Sequence, residues 1–526
     1  MWRSTAAGLA MAMAMALAAA FPAKAQVPDR LVLAVGQLSR DGFDPTLGWG
    51  TYGHSLFHQT LIRRNPDLSL VPELATAWSV NDDGLIWTVT LRTDMRFSDG
   101  SPVTAADVAY TYEAASRAGG RVDLTILDRA EVVDDTTVRL HLKRSQITIV
   151  NTMATLGIVP RAAHGPGYAR RPIGSGPYRL VEWQEDQQLI VEVNPMWSGP
   201  QPQFRRLVLL QAGEDAALAT ARAGRLHLVA VPPALANQTL RHLRVEERRT
   251  VDNRGVMFPM VPPSGATSLT GAPVGNAVTA DPAIRRALAI GLDRQELVRL
   301  ALGGRGDPAF GVADGLPWDE PEQRLPDANL AGARAVLEAA GWRDSPSGVR
   351  EKAGQAARFT LLYPASDMTR QALALGVADQ AKRLGIRIDV SGRAWDEIRR
   401  LQHSNAVLFG WGAHTPQEMF NLHHSSLAGR GSLNAGWYNN PAVDAHLDAA
   451  QRATSVEASL IHWQAAQWNG STGFGMAGDT AWAWLVNLRH VYFVHECLDL
   501  GAAQIHPHGH GMPILHNVTA WRWTCG

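Results

Sequence analysis

The chain has 526 residues, and its 49 Lys plus Arg equal its 49 Asp plus Glu, for a formal net charge of zero. That balance argues against a nucleic-acid partner, which asks for a basic face. The length exceeds what one hydrophobic core usually holds, so two or three lobes are expected.

The chain opens MWRSTAAGLAMAMAMALAAAFPAKAQVPDR. Arg3, an Ala/Met/Leu run and small residues at Ala23 and Ala25 read as a secretory signal peptide over 1–25, cut before Gln26. A membrane anchor is the alternative, but Pro22 interrupts the run and it falls short of the ~20 strongly apolar residues that spanning needs. No cysteine follows it, so no lipid attachment point is supplied, and no later segment is apolar enough to span. The mature chain is expected to be soluble and periplasmic.

LVLAVGQ (31–37) reads as a strand followed by a loop, and YGHSLFHQTLIRR (52–64) suits a helix. IWTVTLR (86–92) alternates as a half-buried strand does. Asp99-Gly100 marks a turn, after which Thr104 and Asp107 are placed as N-cap and N3 of an amphipathic helix. VRLHLK (138–143) alternates again. DPAIRRALAIGLDRQELVRLALGG (281–304) carries helical spacing up to a glycine stop, and ARAVLEAAGW (333–342) ends the same way. RQALALGVADQAKRLGIRIDV (370–390) reads as helix, glycine turn and strand, the rhythm of a parallel sheet. Strand character returns at HVYFVHECLDLG (490–501) and VTAWRW (518–523). These pieces describe a mixed α/β protein. Its two cysteines, Cys497 and Cys525, are either a disulfide or two free thiols, and their spacing matches no zinc site.

The blocks VPELATAWSVNDDGLIWTVTLRTDMRFSDGSPVTAADVAYTYEAA, RPIGSGPYRLVEW, DPAIRRALAIGLDRQELV and YNNPAVDAHLDAA occur in that order. Together they resemble the family 5 extracytoplasmic solute-binding proteins of peptide/nickel-type ABC importers. The resemblance implies a two-lobed α/β clamshell of the periplasmic-binding-protein type, with lobe I at 26–64 and 173–269, an inserted subdomain at 65–172, lobe II at 270–485 and a return to lobe I at 486–526. It implies a monomer that buries a peptide or a nickel chelate between its lobes and docks on the permease subunits of an importer. IGSGPY and FSDGSPVTAADV read as scaffold rather than ligand contacts.

No phosphate loop, G-x-S-x-G elbow or C-x-x-C occurs, and His495-Glu496 fails as H-E-x-x-H because Asp499 stands at the last position. Catalysis is therefore unsupported and no cofactor is required. Histidine is the anomaly, with twelve of 18 between His403 and His516. In peptide-binding relatives a Trp-Gly-x-Asp segment offers its carboxylate to the peptide's ammonium group; here FGWGAHTPQ puts His414 at that place. A neutral imidazole cannot replace that charge, but it suits Ni²⁺ held as part of the transported ligand. The resemblance puts His414, His423, His424 and His54 near the cleft. Arg370, at the start of the RQALALG helix, is the candidate carboxylate clamp, and Trp411 and Tyr52 are candidate apolar walls or core packing.

QIHPHGHGMP (504–513) sets His506, His508 and His510 at alternate positions, a compositional metal signal. The family's chain order puts it in an outer ribbon away from the ligand, as a turn-rich, partly exposed loop. Two alternatives to solute capture stand: a secreted metal-dependent hydrolase built on this histidine-rich region, and a periplasmic sensor or chaperone on the same fold.

Overall fold

The central strand of the first sheet, Arg30–Ala34, sends Leu31 and Leu33 into one core and Ala34 into another, which is why the run is apolar on both faces. The computed structural model describes residues 27–525 apart from 37, 40, 52–55, 120–121 and 509–511. The expected signal segment, 1–25, lies outside the described residues.

Seven strands form the first lobe's sheet, in the order Leu243–Arg248, His490–His495, Leu228–Val231, Arg30–Ala34, Arg206–Leu210, Gln188–Val193 and Tyr178–Gln184. The three central strands are parallel and the outer ones antiparallel. The chain leaves this sheet for a four-stranded antiparallel one, Ala75–Val80, Ile86–Leu91, Thr137–Leu142 and Leu127–Val132. Trp87, Val89 and Leu91 alternate inward there and pack on helix Ala105–Ala118. The Asp107 carboxylate accepts from the Thr104 N–H at 2.9 Å and its hydroxyl at 2.7 Å, fixing that helix's start.

The second lobe has six strands, in the order Gly306–Pro308, Trp482–Leu488, Asn253–Met257, Ala406–Trp411, Arg358–Pro364 and Arg387–Arg393. The last three run parallel. Helices Pro282–Gly291 and Met368–Lys382 cover one face, and Pro441–Gln451 and Val456–Gln467 the other. Because Asn253–Met257 already belongs to this sheet, the chain crosses between lobes at 249–252, earlier than residue 270. It crosses back at Arg489, between Leu488 and His490.

Three local expectations are corrected. Residues 56–64 are not helical: after a bend at 56–57 they lead into strand Ile62–Arg64, with Gly176 donating to the Phe57 carbonyl at 2.8 Å and Ile158 to that of Gln59 at 2.9 Å. A Cβ on Gly174 would lie 2.0 Å from the Phe57 carbonyl oxygen, so IGSGPY works by close backbone approach. Residues 281–304 form two helices, Pro282–Gly291 and Arg294–Ala301, because Asp293 breaks the run and caps the second by accepting from the Glu296 N–H at 2.8 Å. Residues 518–523 are not one strand. A 3-10 stretch, Pro513–Ala520, precedes a two-residue strand, Arg522–Trp523, which pairs with Leu498–Asp499. A disulfide joins Cys497 to Cys525 beside that pair.

Candidate functional site: a cavity between the lobes

Strand Ala406–Trp411 ends at the rim of the second sheet, and the turn after it, with Ala413, His414 and Thr415, faces the first lobe. Gly412 has a φ of +140°, and a Cβ there would lie 2.2 Å from the Val251 carbonyl oxygen, so the strand can turn this close to the crossover only with glycine. Glu418 holds the turn by accepting from the N–H groups of Gly412 at 3.1 Å and Ala413 at 3.3 Å. Burial pushes its carboxyl up to about 7.

Between this turn and the first lobe lies a cavity of about 810 Å³. The second lobe contributes Trp411, His414 and Phe420; the first lobe and its insert contribute His58, Arg64 and Asn151; the C-terminal stretch contributes Gln504, Pro507 and His516. Arg64 crosses the gap, its Nη2 donating to Asn151 Oδ1 at 2.5 Å and to the His414 carbonyl at 2.7 Å. Burial lowers its guanidinium to about 10. Burial, helped by the Arg64 charge, holds His414 down to about 3, so its imidazole is neutral. Among the described residues, no partner reaches His414 Nε2 or Trp411 Nε1. Next to the Arg64 contact the insert also grips the second lobe: the Thr148 hydroxyl lies 2.6 Å from Gln417 Oε1 and 3.0 Å from Gln451 Oε1, and the Ile147 N–H donates to the Gln451 carbonyl at 2.9 Å. The first lobe's insert and the second lobe are therefore in direct contact beside the cavity.

Of the residues singled out in the sequence, Trp411 and His414 line the cavity. Tyr52, His54 and His510 lie outside the described residues. Arg370 is no clamp there: it is buried on the first turn of its helix, paired with Asp367 at 2.5 Å and lying over the Trp395 ring at 5.6 Å. His423 belongs to the core. Its ring stacks on Phe474 at 3.7 Å, and Nδ1 lies 3.0 Å from the Met419 carbonyl. His424 sits behind Phe420, stacked at 4.3 Å, with Nε2 3.4 Å from Asp448. Phe420 lines the cavity and separates His424 from it, so His414, His423 and His424 do not converge.

The outer-ribbon placement of 504–513 is also corrected. Residue 506 pairs in parallel with Thr250 of the crossover: the His506 N–H donates to the Arg249 carbonyl at 2.8 Å, and the Val251 N–H to the His506 carbonyl at 2.9 Å. His506 is fully buried. His508 donates its N–H to the Gly412 carbonyl at 2.7 Å, and its Nδ1 lies 2.5 Å from Asp252 Oδ1. Burial pushes Asp252 up, but Arg254, His508 and His490 outweigh it and hold the carboxyl well below the usual range. The tail is drawn inward because the crossover's backbone groups need partners once buried. Among the described residues, no three His, Cys, Asp or Glu side chains gather as metal ligands. Sequence reasoning missed Arg64, Thr148, Asn151 and Gln417. None carries a local signal, since their partners lie far away along the chain.

Residues 69–432 match the family model described as bacterial extracellular solute-binding proteins, family 5 Middle. Protein XP55 of Streptomyces lividans is 34% identical over 476 residues, covering 87% of this chain and 84% of that one. The oligopeptide-binding protein AppA of Bacillus subtilis is 25% identical over 417 residues, 74% of each. Among solved structures, NikZ from Campylobacter jejuni in complex with Ni(L-His) superposes with a TM-score of 0.78 at 20% identity, covering 94% of this chain and 100% of that one. AppA from Bacillus subtilis in complex with a nonapeptide gives 0.70 at 22% identity, covering 94% and 99%. These two likenesses establish the two-lobed fold.

Proposed function

The chain belongs to the bacterial extracellular solute-binding proteins of family 5, and from that premise we propose that it captures a peptide or a nickel-type chelate between its lobes and delivers it to the permease of an ABC importer. The observation that carries this reading is the cavity of about 810 Å³ lined by both lobes, which two crossovers join. Small-molecule sites span roughly 300–1,000 Å³. Two crossovers near one edge are a hinge, and a ligand that binds the closed state better than the open one shifts the lobes shut. His414 Nε2 and Trp411 Nε1 lack partners among the described residues, which suits a ligand that supplies them.

In this reading residues 1–25 are a cleaved signal peptide, the mature chain is a soluble periplasmic monomer, and there is no turnover. No helix among the described residues is long and apolar enough to cross a membrane. A hydrolase built on the C-terminal histidines is disfavoured because His490 and His508 are engaged by Asp252. Relatives named for glutathione and murein peptide support the peptide branch, and the neutral imidazole of His414 supports the chelate branch.

Native mass spectrometry of protein purified without a histidine tag tests the proposal. One retained peptide or chelate mass per chain is expected, with small-angle scattering showing expansion when it is removed. No retained mass, and an unchanged radius of gyration across peptides and nickel chelates, would sink it.

A further inference from the structure

The charges around the cavity do not balance. Arg63, Arg64, Arg92 and Arg144 line it against Glu73, Asp123 and Glu418. Arg92 is paired with Asp94 at 2.6 Å, and Arg63 is exposed with Nη1 on Asn65 Oδ1 at 3.0 Å. Burial raises the carboxyls of both Glu73 and Glu418, which weakens their anionic character. Asp123 is exposed and turned to its own loop, accepting from Thr125.

Arg144 also lacks a carboxylate partner among the described residues, but it is exposed and lies over the Phe420 ring at 5.8 Å; Arg64 is the one that bonds both lobes. It is half-buried on strand Ile62–Arg64, and among the described residues no carboxylate lies within ion-pair distance of it. Both of its protein contacts come from Nη2, on the Asn151 side chain and the His414 carbonyl. The Nε–H and both Nη1 hydrogens meet no acceptor among the described residues. Nε–H and Nη1 lie on opposite sides of the guanidinium plane's axis, so each is free to make a single charge-assisted bond to an anion. A half-buried cation with no counter-ion attracts an anion more strongly than a solvated one does, because less water screens it. Arg370, by contrast, already has Asp367.

We propose that Arg64 selects the ligand: its Nη1 group binds a carboxylate of the captured solute while Nη2 holds the second lobe through the His414 carbonyl. Seating the anion orients the same guanidinium that ties the lobes together, so recognition and closure are one event. The ligand class is then a small solute with at least one free carboxylate, whether peptide or chelate. This inference rests on the solute-capture reading above.

The test uses the full mature chain and a panel of short alanine peptides, each as free acid and C-terminal amide, with nickel–histidine chelates carrying free or esterified carboxylates. Retained ligand is read by native mass spectrometry after gel filtration, and affinities by calorimetry. Wild type should bind the acids at least about tenfold tighter than their amides or esters. Arg64→Gln should erase that preference. Arg64→Lys, which keeps the charge but has a single nitrogen to share between the His414 carbonyl and the ligand, should retain only part of it and serves if the Gln variant does not fold. Equal retention of acids and amides, or an intact preference in both variants, overturns the role of Arg64 and leaves solute capture standing. Retention of nothing overturns both.

Discussion

His508 Nδ1 and Asp252 Oδ1 lie 2.5 Å apart, which fastens a histidine of the C-terminal stretch to the crossover between the two lobes. Asp252 is also approached by His490 Nε2 at 3.3 Å and paired with Arg254. One buried carboxylate thus joins the returning strand, the second lobe's sheet and the tail.

This arrangement predicts an order of losses. Asp252→Asn strands the buried Arg254 guanidinium and should cost about 3–5 kcal/mol. His508→Ala leaves Asp252 its other two partners and should cost about 1–3 kcal/mol. Urea unfolding of the two variants checks it. A His508→Ala loss as large as that of Asp252→Asn would contradict the ranking.

The second prediction concerns pH. Burial raises Glu418 in the folded chain to about 7 from its ordinary 4.5. A carboxyl raised on folding contributes stability that is complete below its unfolded value and is lost as pH rises through its folded value. Wild type should therefore lose up to about 3 kcal/mol from this group between pH 4.5 and pH 8, at ~1.4 kcal/mol per unit. Glu418→Gln lacks that loss, so its melting midpoint should gain on wild type from pH 5 to about pH 7 and then level off. A gap between the two that does not change with pH would show that Glu418 is ionised throughout.

Much of the scaffold is legible in the sequence because the forces that set it are local. Alternation in Ile86–Leu91, the Thr104–Asp107 capping box and the glycine-ended helix–strand unit at 368–393 each depend on residues a few positions apart. The corrections come where distant chain decides. YGHSLFHQTLIRR has helical spacing, yet the Phe57 and Gln59 carbonyls are taken by segments about a hundred residues on. Arg63 and Arg64 point to opposite faces of one strand, and only contact with His414, 350 residues away, marks Arg64 as the one that meets the second lobe. Trp411 and His414 stand out in the sequence only through family resemblance. Nothing local separates His414 from His423, whose ring is locked against Phe474.

The third prediction comes from the ring that the disulfide closes. That ring, set by Cys497 and Cys525, 28 residues apart, contains the tail segment at the crossover and the cavity residues Gln504, Pro507, Pro513 and His516. Closing a loop of that length is worth about 2–4 kcal/mol. The Cys497→Ser/Cys525→Ser pair should lose stability of this order, and its solute affinity should fall because one wall of the cavity is less well fixed. Urea unfolding and calorimetry with the co-purified solute read both effects. Lost stability with unaltered affinity would mean that Trp521, fully buried, and the strand pair beside the disulfide hold the wall unaided.

The last prediction concerns the grip of the insert on the second lobe. Gln451 takes the Ile147 N–H on its carbonyl at 2.9 Å, and its Nε2 donates to Gln417 Oε1 at 2.6 Å, beside the Thr148 hydroxyl. Its side chain is buried and links the insert to helices Gln417–His423 and Pro441–Gln451. The contact with the insert exists only when the lobes meet, so it stabilises the closed state alone, and opening must break it before solute escapes. Gln451→Ala keeps the backbone contact and removes the side-chain link. The variant should release its co-purified solute about five- to tenfold faster, the effect of about 1–1.4 kcal/mol for one neutral hydrogen-bond link. Its on-rate should stay near that of wild type, because interface changes act mostly on dissociation. Stopped-flow tryptophan fluorescence can follow both rates, since Trp411 lines the cavity. A slower on-rate with unchanged release would place Gln451 in folding of the second lobe rather than in holding the lobes shut.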